Sequence, residues 1–193
     1  TSSLDSTTIA NMIAGAGGGC NFKFPQGTNG EPITHSFFNS GNYIVPTGKV
    51  LCILTHSYYN GIIDINGTIM ELGQSESYKF LDEGTILIGN NGINSSFNAL
   101  LMDRNTDVVP ISHAFINGDY TVPAGKILYV YTKYQWGGSV INTSGLLEGL
   151  TASNSLNLLL KEGTVLTEPN SPTYATFNGY LVDENYFANC GGG

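Results

Sequence analysis

Apolar residues along this chain come in runs of about four to six, and most runs are closed by Gly, Asn or Pro. Val50-Leu51-Cys52-Ile53-Leu54, Ile86-Leu87-Ile88 and Phe97 to Met102 are of this kind. Asn60-Gly61 and Asn66-Gly67 flank Ile62-Ile63-Asp64-Ile65, and Asn-Gly supplies the positive φ angles of a two-residue hairpin turn. Runs this short read as strands, and their punctuation predicts antiparallel sandwiches or jelly rolls. The leucines of Leu146 to Leu150 and Leu156 to Leu160 would suit a helix, but their Thr- and Gly-bounded context assigns them to sheet. One stretch departs from the pattern. Over residues 1–14, Leu4, Ile9, Met12 and Ile13 recur at helical spacing, Asp5 or Ser6 can cap the first turn, and Gly15, Gly17, Gly18 and Gly19 stop it. So short a helix is marginal alone, so it is expected to dock on the sheets or on a neighbouring chain.

The strand pattern is written twice. Tyr43-Ile44-Val45-Pro46-Thr47-Gly48-Lys49-Val50-Leu51 returns as Tyr120-Thr121-Val122-Pro123-Ala124-Gly125-Lys126-Ile127-Leu128, 77 positions on. Glu83-Gly84-Thr85-Ile86-Leu87 returns as Glu162-Gly163-Thr164-Val165-Leu166, and Phe97-Asn98-Ala99-Leu100-Leu101-Met102-Asp103 as Phe177-Asn178-Gly179-Tyr180-Leu181-Val182-Asp183. One order of landmarks with small insertions predicts tandem modules of one fold. The expected architecture is all-β: a helix and Gly-rich segment over 1–30, a first β-sandwich module over 31–107 and a second over 108–193. A module of that size buries only about 60% of its unfolded surface. The two are therefore expected to share an interface or to lean on other chains.

Charge narrows the partners. The chain of 193 residues has a net charge of −8, only 11% charged residues and a single arginine, Arg104. It lacks the basic footprint that nucleic-acid or anionic-membrane binding requires, and no apolar run is long enough to cross a bilayer. Sparse charge also means weak repulsion between copies.

Three cysteines leave two questions open. Cys20 and Cys190 flank the repeats and are a candidate disulfide, whereas Cys52 sits in an apolar run and reads as a buried free thiol. His35 and His113 fall at nearly matching positions, which suggests a role in the fold, an imidazole bonding backbone at a sheet corner. The matched Glu83 and Glu162 read as turn residues whose side chains accept nearby amide protons. No paired constellation for catalysis stands out, and no cofactor is expected. Asp103, Asn105 and Asp107 alternate like the front of a calcium loop, but Val108 and Ala114 stand where its glycine and glutamate belong, leaving only a weak calcium candidate. Tyr129, Tyr131, Tyr134 and Trp136, with Tyr58 and Tyr59 as a lesser counterpart, form an aromatic stretch; Tyr129 and Tyr131 alternate with Val130 and could be displayed on one strand face. Core packing, contact with another subunit and stacking on a surface glycan all fit it.

Tyr-x-Val-Pro-x-Gly-Lys-x-Leu, then Glu-Gly-Thr-x-Leu, then a Phe-Asn-Gly-Tyr-Leu-like strand resembles secreted or surface tandem β-sandwich proteins of Bacteroidota, over roughly residues 4–187. The resemblance implies a β-sandwich or jelly-roll module on the cell surface or outside the cell. The first copy departs from it at Cys52, opposite Tyr129, and at Ala99-Leu100, opposite Gly179-Tyr180. Taken together, these readings lead to a non-enzymatic extracellular subunit that self-associates into a filament or surface layer, with a glycan-binding or adhesive module as the alternative.

Overall fold

The computed structural model describes residues 21–57, 63–65, 68–70, 78–89, 96–135, 142–143, 155–168 and 175–188. The expected N-terminal helix, the Cys20–Cys190 pair, Tyr58, Tyr59, Trp136 and the leucine run at 146–150 lie outside the described residues. The protein is all-β. In chain order come β1 (Glu31–Ser36), a helical turn α1 (Phe37–Ser40), β2 (Tyr43–Ile44), β3 (Lys49–Ser57), β4 (Ile63–Ile65), β5 (Thr68–Met70), β6 (Lys79–Leu81), β7 (Ile86–Gly89) and β8 (Ser96–Asp103). After them come β9 (Val109–Ala114), a 3-10 turn (Phe115–Asn117), β10 (Tyr120–Thr121), β11 (Lys126–Gln135), β12 (Asn142–Thr143), β13 (Ser155–Leu160), β14 (Val165–Thr167) and β15 (Ala175–Asp183).

Most strands fall where the apolar runs predicted them, β13 included. β1 does not run on through Phe37 and Phe38. It stops at Ser36, and α1 reverses the chain with Gly41 N–H bonded to the Phe37 carbonyl at 3.1 Å. The reason is packing: the reversal carries the Phe37 ring into the core.

The larger sheets run β1-β8-β3-β6 and β9-β15-β11-β13, the smaller ones β2-β7-β4-β5 and β10-β14-β12. In the large sheets the order in the second half of the chain is that of the first, strand for strand; in the small sheets β2, β7 and β4 match β10, β14 and β12, and β5 has no counterpart among the described residues. The irregularities match too. β3 slips register against β8 between Ile53 and Thr55, and β11 slips against β15 between Val130 and Thr132. A bulge of this kind bends and twists its strand, so both large sheets twist at the same point.

Side chains alternate across a strand, and here both faces of each large sheet are buried. Leu51 and Ile53 of β3 pack with Val45, Leu87 and Phe97 in one cluster. Leu128 and Val130 of β11 pack with Val122, Leu166 and Phe177 in its counterpart. The opposite faces, with Val50, Cys52, Phe80 and Met102 from the first half and Tyr129, Tyr131, Tyr180 and Val182 from the second, form one further cluster. We call this shared cluster the seam.

The Asn178 side chain bonds across the seam. Asn178 is fully buried, its Oδ1 accepting the Phe80 N–H at 2.8 Å and its Nδ2 donating to the Phe80 carbonyl at 3.0 Å. The side-chain amide thus acts as a short strand against the edge of β6. Its Nδ2 also bonds the Ile111 carbonyl and Ser112 Oγ, as Asn98 does to Ile33 and Thr34 in the first half. The shared task is tying two strands of one sheet; the bridge to Phe80 belongs to Asn178.

Asn178→Ala leaves two buried main-chain groups of Phe80 unsatisfied, a loss of about 3 kcal/mol, whereas Asn98→Ala is expected to cost about 1 kcal/mol. Equilibrium denaturation of the two variants checks this; equal losses would refute the special role of Asn178.

Candidate functional site

The repeated signature builds a pair of interlocked turns. Lys49 N–H bonds the Pro46 carbonyl at 3.1 Å, closing a tight turn whose third residue, Gly48, has φ of 73°. Glycine alone adopts that angle without strain. The Gly48 N–H donates to Glu83 Oε2 at 2.6 Å, and Glu83 itself sits in the turn before β7. Val45 bonds both Thr85 and Gly84 through its main chain, at 3.0 and 2.9 Å. Lys49 Nζ meets Asp103 at 2.6 Å, and the Gly48 carbonyl accepts the Arg104 N–H.

The second half reproduces each bond. Gly125 N–H donates to Glu162 Oε2 at 2.6 Å, Val122 bonds Thr164 and Gly163, Lys126 meets Asp183, and Glu184 N–H reaches the Gly125 carbonyl. The carboxylates therefore act as acceptors for turn amides, as their recurrence suggested. Beside this shared frame the first half adds a two-pronged pair, Arg104 Nε and Nη2 to the Asp82 carboxylate at 2.8 and 3.1 Å. Lys161 and Glu184 stand at the corresponding places in the second half, with the charges reversed.

The histidines also carry out the expected fold role. His35 Nε2 donates to the Gly41 carbonyl at 2.8 Å and His113 Nε2 to that of Gly118 at 2.9 Å. A carbonyl can only accept, so Nε2 bears the proton. Each imidazole lies among three rings: Phe37, Tyr43 and Phe97 around the first, Phe115, Tyr120 and Phe177 around the second.

The aromatic stretch requires a correction. Tyr129 and Tyr131 do share a strand face, but that face is the seam, and the two are 5% and 2% exposed. They are covered rather than displayed, because the other large sheet and residues 21–25 close over them. Tyr129 and Tyr131 are thus packed in the core. Tyr134 lies on β11; Trp136, Tyr58 and Tyr59 are outside the described residues, as noted above.

Two residues of the calcium candidate have partners within the chain. Asp103 pairs with Lys49, and Asn105 Oδ1 accepts the Asp107 N–H at 2.9 Å in a local turn. Among the described residues, no group of three or more His, Cys, Asp or Glu side chains is placed to hold a metal.

Sequence reasoning missed one feature. Residues 21–27 form an arm across the second-half side of the seam. Tyr180, Tyr131 and Tyr186 hydroxyls donate to the carbonyls of Phe22, Lys23 and Pro25 at 2.8, 2.5 and 2.7 Å. Phe22 stacks on Tyr129 with centroids 5.9 Å apart and leans on Phe187 at 4.6 Å, while Phe24 meets Tyr78 edge-on. The available signal was divergence between copies. Where the second half has Tyr129, Tyr131, Tyr180, Tyr186 and Phe187, the first has Cys52, Leu54, Leu100, Thr106 and Asp107.

Burial shifts the ionisable groups of this interior. It pushes the Cys52 thiol up to about 12 and lowers Lys79 to about 8. It also holds the Tyr131 and Tyr180 phenols well above their ordinary range, with neighbouring phenols adding to the rise. Cys52 is a buried free thiol, as expected.

No family model, curated protein or solved structure matches this chain.

These shifts set a pH profile. Lys79 is neutral in the fold above about pH 8 but charged in the unfolded chain up to 10.5. Stability therefore rises by about 1 kcal/mol from pH 8 to 9. Cys52 has the opposite sign: above its unfolded value of 9.0 the unfolded thiol ionises while the folded one does not, so stability is lost. The tyrosines add to that loss above 10.0. Urea denaturation is expected to show a maximum near pH 9 to 10, and Lys79→Met is expected to abolish the rise below it; an unchanged rise in that variant would overturn the assignment.

Proposed function

We propose that this chain is a non-enzymatic structural protein of the cell surface or extracellular space. In this reading it is built of two tandem β-sandwich modules of jelly-roll type and associates with copies of itself into a filament or surface layer. The matched strand orders support the tandem reading. The non-enzymatic role is supported by the repeated acids and histidines, which in both halves bond turns of their own chain.

One observation carries the self-association. Ile44 and Ile86 lie opposite each other in the register of β2 and β7, Ile88 follows two residues on, and the three are 58%, 37% and 37% exposed. Leu87 between them points inward, so the isoleucines form an apolar patch on the outer face of the small sheet. The second half has Thr121, Val165 and Thr167 at these places. The duplicated scaffold thus keeps the inward residues and differs outside, where packing within the chain makes no demand. Clustered exposed isoleucine marks a contact surface. Seated on a different surface of the next copy, such a patch makes a contact that repeats without closing, and the low charge of the chain leaves approach unopposed.

Ile44→Lys with Ile86→Lys is expected to abolish assemblies in electron micrographs and in sedimentation, while the melting temperature stays within a few degrees of the parent. Thr121→Lys, at the matching position, is expected to leave assembly intact. A parent protein that sediments as a monomer at every concentration, with no filaments or layers, would sink the proposal.

A further inference from the structure

The arm and the aromatic surface beneath it have one property that a simple core segment does not need. Every hydroxyl contact to the arm is made to a main-chain carbonyl, those of Phe22, Lys23 and Pro25. Its side chains contribute the two rings, Phe22 and Phe24, and the Lys23 ammonium 5.0 Å over the Tyr78 ring. Gln26 adds a bond to the Asp103 carbonyl at 3.0 Å. The surface that receives the arm is therefore a site for a short peptide segment, reading backbone through tyrosine hydroxyls and two aromatic side chains through ring contacts.

The three hydroxyls and the two rings against Phe22 come from the second half, and the first half adds Tyr78 beneath Phe24 and Lys23. The twin strands of the first half lack all five of these second-half aromatic side chains, although the backbone frame beneath them is the same. A segment required merely to fill a core would be served by aliphatic residues, as Leu54 and Leu100 serve in the seam. Tyrosines with aimed hydroxyls select a bound chain. The arm meets the body through Gly27, whose φ is 81°, and exposed Thr28 and Asn29. Phe22 remains 41% exposed even when seated. A rotation in this short polar link would carry the arm away from the body with no strand of either large sheet disturbed.

We infer that residues 21–26 are an exchangeable arm, and that in the assembled protein the arm of one copy seats on the Tyr131, Tyr180 and Tyr186 surface of the next. The same three hydroxyl bonds and ring contacts form in either arrangement, so exchange leaves the contact energy unchanged and gains the surface where the two copies meet. Each copy offers one arm and one receiving surface, and the exchange is open-ended. This inference rests on the self-association reading and names the element that links one copy to the next.

The test uses full-length chains carrying Ile44→Lys and Ile86→Lys, so that the sheet-face contact is absent. One partner adds Phe22→Ala and Phe24→Ala, which spoil the arm. The other adds Tyr131→Phe, Tyr180→Phe and Tyr186→Phe, which keep the rings but weaken docking about 100-fold. Mixed, the sound arm of the second and the sound surface of the first are expected to give a one-to-one pair in native mass spectrometry that grows no further. Circular dichroism confirms that each chain is folded. If either is not, a synthetic peptide of residues 20–27 added in excess to the unsubstituted protein is expected to shorten its assemblies. Assemblies that ignore the peptide, or folded chains that never pair, would overturn arm exchange while leaving self-association standing. An unsubstituted protein that is monomeric throughout would remove both.

Discussion

Everything in this fold depends on the seam. A four-stranded sheet with apolar residues on both faces cannot stand alone in water. Val50, Cys52, Phe80 and Met102 on one sheet and Tyr129, Tyr180 and Val182 on the other cover each other's second face. Non-directional burial supplies most of the driving force, but it does not choose a register between two sheets. Asn178 does. By bonding both main-chain groups of Phe80 it fixes where the edge of β6 lies on the second sheet, and any slip would strand those groups in an apolar interior.

The repeated signature has a different task, local to each half. Gly48 with Glu83, and Gly125 with Glu162, join two turns that are far apart in sequence, and the lysine–aspartate pairs lie beside them. Those ion pairs are largely exposed and contribute little by themselves. The carboxylate-to-amide bonds carry the lock, because each turn supplies what the other lacks. This explains why the motif is glycine-rich and why an acid travels with it.

Duplication separates shared constraint from individual use. Residues alike in the two halves, His35 and His113, Glu83 and Glu162, Asn98 and Asn178, make matching bonds in both, with Asn178 adding those to Phe80. Residues that differ include those of two surfaces: the seam, where the second half has tyrosines, and the outer face of the small sheet, where the first half has isoleucines. Divergence from an otherwise identical frame points to the places where the chain meets something besides its own scaffold. Here those are the arm and the outer patch.

The sequence by itself determined that the chain is all-β, where most strands lie, and that His35, His113, Glu83 and Glu162 serve turns. The strands follow from short-range rules, period-two alternation and the dihedral demands of Gly and Pro, which act within a few residues, and the histidine and glutamate roles from their recurrence in both copies. It could also show that Cys52 is buried, since an apolar run has few other fates. The tertiary structure alone decided that Tyr129 and Tyr131 face inward, that Asp103 is taken by Lys49, and that residues 21–27 lie under three tyrosine hydroxyls. A strand's pattern states which residues share a face, but whether water, a ligand or another sheet covers that face depends on residues more than a hundred positions away. Such contacts leave no local periodicity.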